Sequence, residues 1–600
     1  MDTKEKLRSE IEEKYKWDLT SIYKNDDEWA KDFAKAKKEI LKIKDYEDIF
    51  LSSADNFYKF LIYDQNTDRL LNKLYYYTHL NYDADTTNDH YKKMRQEIMD
   101  LFDEYNTLSS FVVPTILKQD YSLFERFYKE DSRLLEFKFS IDETYRYKKH
   151  TLDKDKELML ATLSPALSGG YNAFTALSDS DMEFGDIELE DGRKVNFNES
   201  NYSIFISSKN RDIRKRAFEI LLGTYSKYKN TLASCYANYV DTNISLAKIN
   251  NYDNALNSSL FADNVSDSVY KNLINTVSNN LDALYRYYDI KKKVLKLDEF
   301  HLYDVYANLV EDSDTKYSFE EAKDLVLKSL NCLGKEYNEA LNKAFDEKWI
   351  DVYHNKGKVS GAYSSGFYDT NPYILLNYEG RLNDVSTLAH ELGHSMHTYF
   401  SCKNNPYEYS AYKIFVAEVA STVNELLLSD YLLRNSNDKN EKLNIINHIL
   451  ELFKSTIFRQ TMFAEFELLM HQKREEKEVL TSTFITDNYY KLVKKYFGDR
   501  VVCDELIKYE WSRIPHFYYN FYVYKYATSL SAACFIASNI LNNKEGAVDN
   551  YINFLSLGGS KYPIDELKEA GVDMNDSKVV ESAINMFKKY LDKFEEVYNS

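Results

Sequence analysis

Apolar and polar positions along this chain alternate mostly with the 3.6-residue period of amphipathic helices. Over residues 385–399, Val385, Leu388, Ala389, Leu392, Met396 and Tyr399 fall on one side of a helical projection, and His390, His394 and His397 on the other. Asp384 stands where it can cap the start, and no proline or β-branched run follows until the histidines are passed. Residues 410–433, free of glycine and proline, predict a second helix. On it Val416, Ala420, Val423 and Leu427 mark a packing face, while Glu418, Ser421, Thr422 and Glu425 share another. Charged amphipathic helices are expected at 70–80 and 91–105 and again from residue 201 onward.

Few segments break this pattern. The paired glycines of Pro165-Ala166-Leu167-Ser168-Gly169-Gly170 predict a turn that ends a helix, not a phosphate cradle, because no Gly-Lys-Ser/Thr follows. Residues 184–197 alternate enough to suggest a short hairpin or irregular stretch. Two turn-bounded segments rich in β-formers, 360–366 and 372–378, predict strands just before the histidines. Only 6 prolines and 16 glycines in 600 residues agree with long helices and few hairpins. The expectation is a mainly α protein with an N-terminal helical domain over 1–200 and a unit carrying the chemistry over 201–600.

The chemistry starts at His390-Glu391-Leu392-Gly393-His394. Two histidines four apart present both imidazoles on one helix face, where they can share a metal ion. Glu391 projects about 100° round the helix from His390, close enough to reach a water on that metal. This is the zinc-peptidase signature; its bland rival is a surface helix with two solvated histidines. A third ligand six residues after His394, as in the metzincins, is excluded by Phe400. His397 comes too early for that place, and a packing or supporting role suits it. Glu418, flanked by apolar residues in Phe415-Val416-Ala417-Glu418-Val419-Ala420, needs a partner if buried, and a metal is one. A salt-bridged or exposed Glu418 is the other reading. Glu391 would then act as general base, while Glu425 and Asp384 are candidates to orient a ligand histidine. One Zn2+ per chain is expected.

A second constellation is Arg513-Ile514-Pro515-His516-Phe517-Tyr518-Tyr519-Asn520-Phe521-Tyr522-Val523-Tyr524-Lys525-Tyr526. With 53 tyrosines in the chain an aromatic run is ordinarily core, yet a histidine and several phenols together offer donors to a developing oxyanion. An edge strand over 360–366 could hold an extended peptide by main-chain hydrogen bonds, or be a plain structural hairpin.

His390-Glu391-Leu392-Gly393-His394-Ser395-Met396-His397, followed by Phe415-Val416-Ala417-Glu418-Val419-Ala420-Ser421-Thr422-Val423-Asn424-Glu425, resembles the bacterial oligoendopeptidase F group of the thimet oligopeptidase metallopeptidases. Further segments extend the resemblance over roughly the whole chain: Tyr15-Lys16-Trp17-Asp18-Leu19-Thr20-Ser21-Ile22-Tyr23, Phe458-Arg459-Gln460-Thr461-Met462-Phe463-Ala464-Glu465-Phe466-Glu467, Leu557-Gly558-Gly559-Ser560 and Ala570-Gly571-Val572-Asp573-Met574. The resemblance implies a large helical two-part shell around a deep substrate cleft, with a small sheet next to the zinc helix. It implies zinc-dependent cleavage of internal bonds in oligopeptides, with ligands at His390, His394 and Glu418 and the base at Glu391. It favours a substrate strand at Gly361, Ala362 and Tyr363. It also implies cleft-lining roles for His516 and Tyr524, then Tyr522, with Tyr519 contacting substrate. The spacing from His516 to the tyrosines is compressed relative to thimet-type members.

A net charge of −19 argues against nucleic acid and anionic membranes as partners, and short peptides remain as the expected ones. The 29% charged and 44% hydrophobic fractions are those of a soluble globular protein. Five widely spaced cysteines imply no disulfide framework. The first thirty residues lack the apolar core of a signal peptide, and no stretch approaches eighteen apolar residues, so a cytoplasmic protein is expected. Two rival functions stand beside the endopeptidase: a zinc carboxypeptidase on a similar helical fold, and a helical binding protein that keeps the motif without catalysis.

Overall fold

The computed structural model describes residues 5–310 and 315–600. Helices dominate it, with twenty-five α-helices among the described residues, joined by short 3-10 turns. The chain forms two compact units, each assembled from three segments. One comprises residues 1–149, 315–432 and 536–571, the other 150–314, 433–535 and 572–600.

The first unit begins with two long helices packed on each other, Ala54–Ala84 and Asp89–Ser109. Its helix Leu382–Asn404 carries the three histidines. Val385, Leu388, Ala389, Leu392 and Met396 are completely buried, as the pattern predicts, and Phe400 takes the place expected for Tyr399. Asp384 caps this helix from inside its first turn, where its carboxylate accepts the N–H groups of Arg381 (2.8 Å) and Glu379 (3.2 Å). The next helix, Ile414–Asn435, starts four residues later than the pattern suggests, after a separate 3-10 turn at residues 407–409. It is apolar nearly all round: Val416, Val419, Ala420, Val423 and Leu427 are all buried. A helix buried on several faces is held by tertiary packing more than by propensity.

The Leu557-Gly558-Gly559-Ser560 motif acquires a packing reason here. A Cβ on Gly558 would lie 2.1 Å from the Tyr409 carbonyl, and one on Gly559 2.5 Å from the Ala411 carbonyl. The Gly559 N–H donates to that Tyr409 carbonyl at 2.8 Å. Two bare backbones therefore meet at the link between the histidine helix and the Glu418 helix.

Five short strands occur among the described residues. The hairpin expected near 184–197 is present as β1 (Asp186–Glu188) and β2 (Lys194–Asn196), paired antiparallel with Ile187 opposite Val195. The strands before the histidines are β4 (Tyr363–Ser365) and β5 (Tyr373–Leu375), joined by β3 (Ile350–Asp351), which the residue pattern does not signal. Their order is β3-β5-β4, with β3 parallel and β4 antiparallel to β5. β4 is thus an edge strand. Buried Asp351 anchors the sheet from below, held by Lys358 (2.7 Å) and by Arg8. The glycines at 169 and 170 do not open a free turn. One helix ends at Leu167 and another, Gly169–Ala176, begins at once, with Gly170 close against the Cys235 carbonyl.

Candidate metal centre

The histidine helix and the Glu418 helix touch at Gly393, where a Cβ would sit 2.5 Å from Ser421 Cα and 2.7 Å from the Ala420 carbonyl. Asn424, completely buried, fastens the contact: its amide donates to the Ala389 carbonyl at 3.0 Å and its oxygen accepts the Tyr337 hydroxyl at 2.9 Å. Gly393 stands between the two histidines in sequence, and Ser421 is one turn after Glu418. Close backbone approach at these two residues brings the three side chains to one point.

There His390 Nε2 and His394 Nε2 lie 3.2 Å apart, and Glu418 Oε2 lies 3.4 Å from the first and 3.7 Å from the second. Among the described residues this is the one His/Cys/Asp/Glu group close enough to share an ion. Donors about 2.1 Å from a tetrahedral metal stand about 3.4 Å from each other. The triangle therefore fits three corners of such a site, and the fourth corner is left for water or substrate. The donor chemistry, two imidazoles and a carboxylate, suits a divalent cation of intermediate softness.

Glu425, two turns beyond Glu418, accepts a hydrogen bond from His390 Nδ1, and its second oxygen receives the Ser386 hydroxyl at 3.4 Å. This bond fixes the ring so that Nε2 faces the other donors. Burial disfavours a charged His390, but the hydrogen bond and charge of Glu425 outweigh it and lift the ring to about 9. Burial, reinforced by the neighbouring His390, pushes His394 down to about 4. Glu391 is almost completely buried, and that burial pushes its carboxyl up to about 7 despite the opposing charge of His390. The Ser364 backbone N–H opposes that rise only weakly. The Ser364 and Ser395 hydroxyls, 2.8 Å apart, tie edge strand β4 to the helix that carries Glu391.

His397 is buried, its ring stacked 3.6 Å over the Tyr412 ring. Burial pushes it down to about 3, so it packs as a neutral ring. Gly361, in the left-handed region at φ +84°, and Ala362 border a cavity of about 230 Å3 shared with Asn377, Asp384 and Thr387. The Tyr363 hydroxyl donates to Asp83 at 2.9 Å. A larger cavity, about 560 Å3, runs along Ser364 and Ser365 beside Thr398 and Tyr412. Sequence reasoning missed Ser364, Ser395, Asn424 and Tyr412, which are common residue types with no motif of their own.

His516, Tyr519, Tyr522 and Tyr524 belong to the second unit, where Tyr526 stands between His516 and Tyr522 while Tyr524 packs on Tyr270. His516 lies in a 3-10 turn, Pro515–Tyr518, its ring 5.4 Å from Tyr519 and 6.1 Å from Tyr526. Burial lowers its pKa. Tyr519 is 45% exposed and Tyr522 partly exposed, whereas Tyr524 is completely buried with its ring 5.0 Å from Tyr270.

Comparison with known proteins agrees with this geometry. Residues 204–586 match the peptidase family M3 model and residues 116–184 the Oligopeptidase F model. Oligopeptidase PepF of Bacillus subtilis (strain 168) is 44% identical over 590 residues, which cover 98% of this chain and 88% of the relative. A crystal structure from Chlamydophila abortus superposes with a TM-score of 0.92 at 36% identity, covering 99% of this chain and all of the other. The oligoendopeptidase-F of Enterococcus faecium superposes with 0.73 at 32% identity, covering 96% of this chain and 99% of the other. A helical protein with this donor triangle, and with full-length relatives of this kind, belongs to peptidase family M3 as a metalloendopeptidase of the oligoendopeptidase F group.

Proposed function

We propose that this chain hydrolyses internal peptide bonds of short oligopeptides, with Zn2+ held by His390, His394 and Glu418 and with Glu391 as general base. The donor triangle beside a buried carboxyl and an edge strand is the observation that carries this reading. Zinc bound there would polarise the scissile carbonyl and acidify a water molecule. Glu391 takes the proton from the attacking water and returns it to the leaving amine. The Ser364–Ser395 hydroxyl pair keeps the strand beside the helix that carries the carboxyl. Glu425 keeps His390 in the tautomer that offers Nε2.

The peptide lies extended along β4 and the residues that lead into it, so that Gly361, Ala362 and Tyr363 offer main-chain groups for sequence-tolerant binding. His516 and Tyr522 supply hydrogen bonds to the developing oxyanion, and Tyr519 contacts the substrate. All three have open surface, while Tyr524 backs them from within. The chemistry resides in residues 201–600, which the family match from residue 204 supports, and residues 1–200 form an N-terminal helical part that is divided between the two compact units after residue 149. Relatives named oligopeptidase or oligoendopeptidase support short peptides as substrates. The test is an internally quenched peptide of about ten residues, incubated with and without chelator, with products identified by mass. Internal cleavage that stops with chelator and returns with zinc is expected. Stepwise loss of single C-terminal residues, or cleavage indifferent to chelator, would overturn it.

A further inference from the structure

The segment carrying His516 and the phenols changes direction at Asn520 and Phe521. These are two consecutive non-glycine residues in the left-handed region, with φ of +46° and +59°. Such backbone is unfavourable for any residue with a Cβ, and more so for a bulky one, so an outside hold is needed. The turn before it is closed by the Tyr519 N–H on the His516 carbonyl (3.0 Å), and the turn after it by the Lys525 N–H on the Tyr522 carbonyl (3.1 Å). Between them the Phe521 N–H leaves the local backbone and donates to Glu467 Oε1 at 2.6 Å. Ser259 adds a second hold, its hydroxyl donating to the Asn520 carbonyl at 2.7 Å. The Phe521 ring is completely buried, 4.5 Å from His471 and 5.7 Å from Tyr270.

Glu467 lies on the helix Arg459–Glu475 and is itself completely buried. Its second oxygen, Oε2, has no hydrogen-bond partner among the described residues. A carboxyl sunk in a core with one amide as its reward is costly, and an apolar side chain would pack there at less expense. What an apolar side chain could not do is receive the amide that the left-handed step turns inward. We propose that Glu467 is a positioning residue of the peptidase site. Its carboxyl holds the Asn520–Phe521 step, and the step sets the direction in which His516 and Tyr522 are presented to the peptide. The stretch is fixed at its other end as well, where Arg513 pairs with Glu199 at 2.9 Å.

This inference rests on the proposal that His516 and Tyr522 act on the substrate, and one panel of variants of the zinc-loaded full-length enzyme separates the two. Glu467→Ala is expected to lower kcat by about 100-fold, the size of effect produced by a 1 Å misplacement, with KM and zinc content near wild type. Glu467→Gln, which still offers a carbonyl oxygen to Phe521, recovers most of that loss. Asn520→Gly added to Glu467→Ala also restores activity, because glycine adopts the left-handed step unaided. Tyr522→Phe lowers kcat by about 100-fold through its missing donor. The double variant Glu467→Ala/Tyr522→Phe is no slower than the worse single, since both remove the same interaction.

Losses that multiply in the double variant, or a wild-type kcat in Glu467→Ala, overturn the role of Glu467. Wild-type kcat in both Tyr522→Phe and His516→Ala overturns the donor reading, and the positioning role with it. Should Glu467→Ala not accumulate folded, Ser259→Ala loosens the same step more gently. A loss of about 10-fold, again without multiplication by Tyr522→Phe, is then expected, and no loss overturns the role.

Discussion

Gly393→Ala is the substitution whose effect the structure predicts most sharply. In a helix interior, alanine is favoured over glycine by about 1 kcal/mol, so a reading of the helix alone expects a more stable protein. The neighbouring helix reverses that sign. The added methyl would meet Ser421 Cα at 2.5 Å, the Ala420 carbonyl at 2.7 Å and Ser421 N at 2.8 Å, where ordinary contact begins at 3.4 Å. All three are backbone atoms, so no side chain can rotate away and the helices must part by about 1 Å. Glu418 moves with Ser421, and two sides of the donor triangle, now 3.4 and 3.7 Å, lengthen together. Metal–ligand distances tolerate only about 0.2 Å.

A zinc affinity lower by more than the ~10–100-fold typical of a lost supporting hydrogen bond is therefore expected. Net destabilisation of up to about 2 kcal/mol should accompany it, from overpacking worth about 1–3 kcal/mol set against a propensity gain of about 1 kcal/mol. Zinc occupancy in metal-buffered solutions and thermal melting of the metal-free protein measure the two effects separately. A variant that binds zinc as the wild type does and melts higher would refute the claim that backbone contact at Gly393 sets the ligand geometry.

Four further outcomes are expected. Glu391→Gln should retain zinc and lose cleavage, measured by metal analysis and peptide turnover; loss of zinc would contradict its assignment as base. Glu418→Ala should lose the metal, and full occupancy would place the third ligand elsewhere. Glu425→Gln should weaken zinc binding by about 10–100-fold without altering the fold, read by competition with a chelator. The last concerns pH. Burial pushes the Glu467 carboxyl up to about 8 from its ordinary 4.5, so between those values the folded chain holds a proton that the unfolded chain has released. Its contribution to stability therefore falls as pH rises through that window, by roughly 1.4 kcal/mol per unit. The stability of Glu467→Gln should decline less with pH than that of the wild type between pH 5 and 8, and parallel curves would exclude the titration.

Much of the site was legible because its determinants are local. His390 and His394 are four apart, Glu418 and Glu425 share one face of the next helix, and regular 3.6-residue periodicity converts such spacings into geometry. The strands at 363–365 and 373–375 showed themselves by composition and flanking turns. What stayed hidden depends on contacts between distant segments. Nothing local marks Ser364 as the partner of Ser395, since serine is common and the bond spans the sheet and the helix. Gly393 reads as a helix-weakening residue until Ser421 is seen against it.

The Asn520–Phe521 step shows the limit most clearly. Neither residue is glycine, so no turn signal announces positive φ, and a run of aromatics reads as core. Its cause lies more than fifty residues earlier, in a glutamate that periodicity would count as one more charged position on a helix. Burial is what distinguishes Glu467: exposed, it would be an ordinary solvated carboxylate; buried with a single amide for a partner, it has to be explained by what that amide needs. The same logic applies to Asn424 between Ala389 and Tyr337. In this protein the buried polar side chains whose partners lie far off in sequence hold the reactive segments in place. They are therefore the positions at which substitutions should alter activity without touching a ligand or the base.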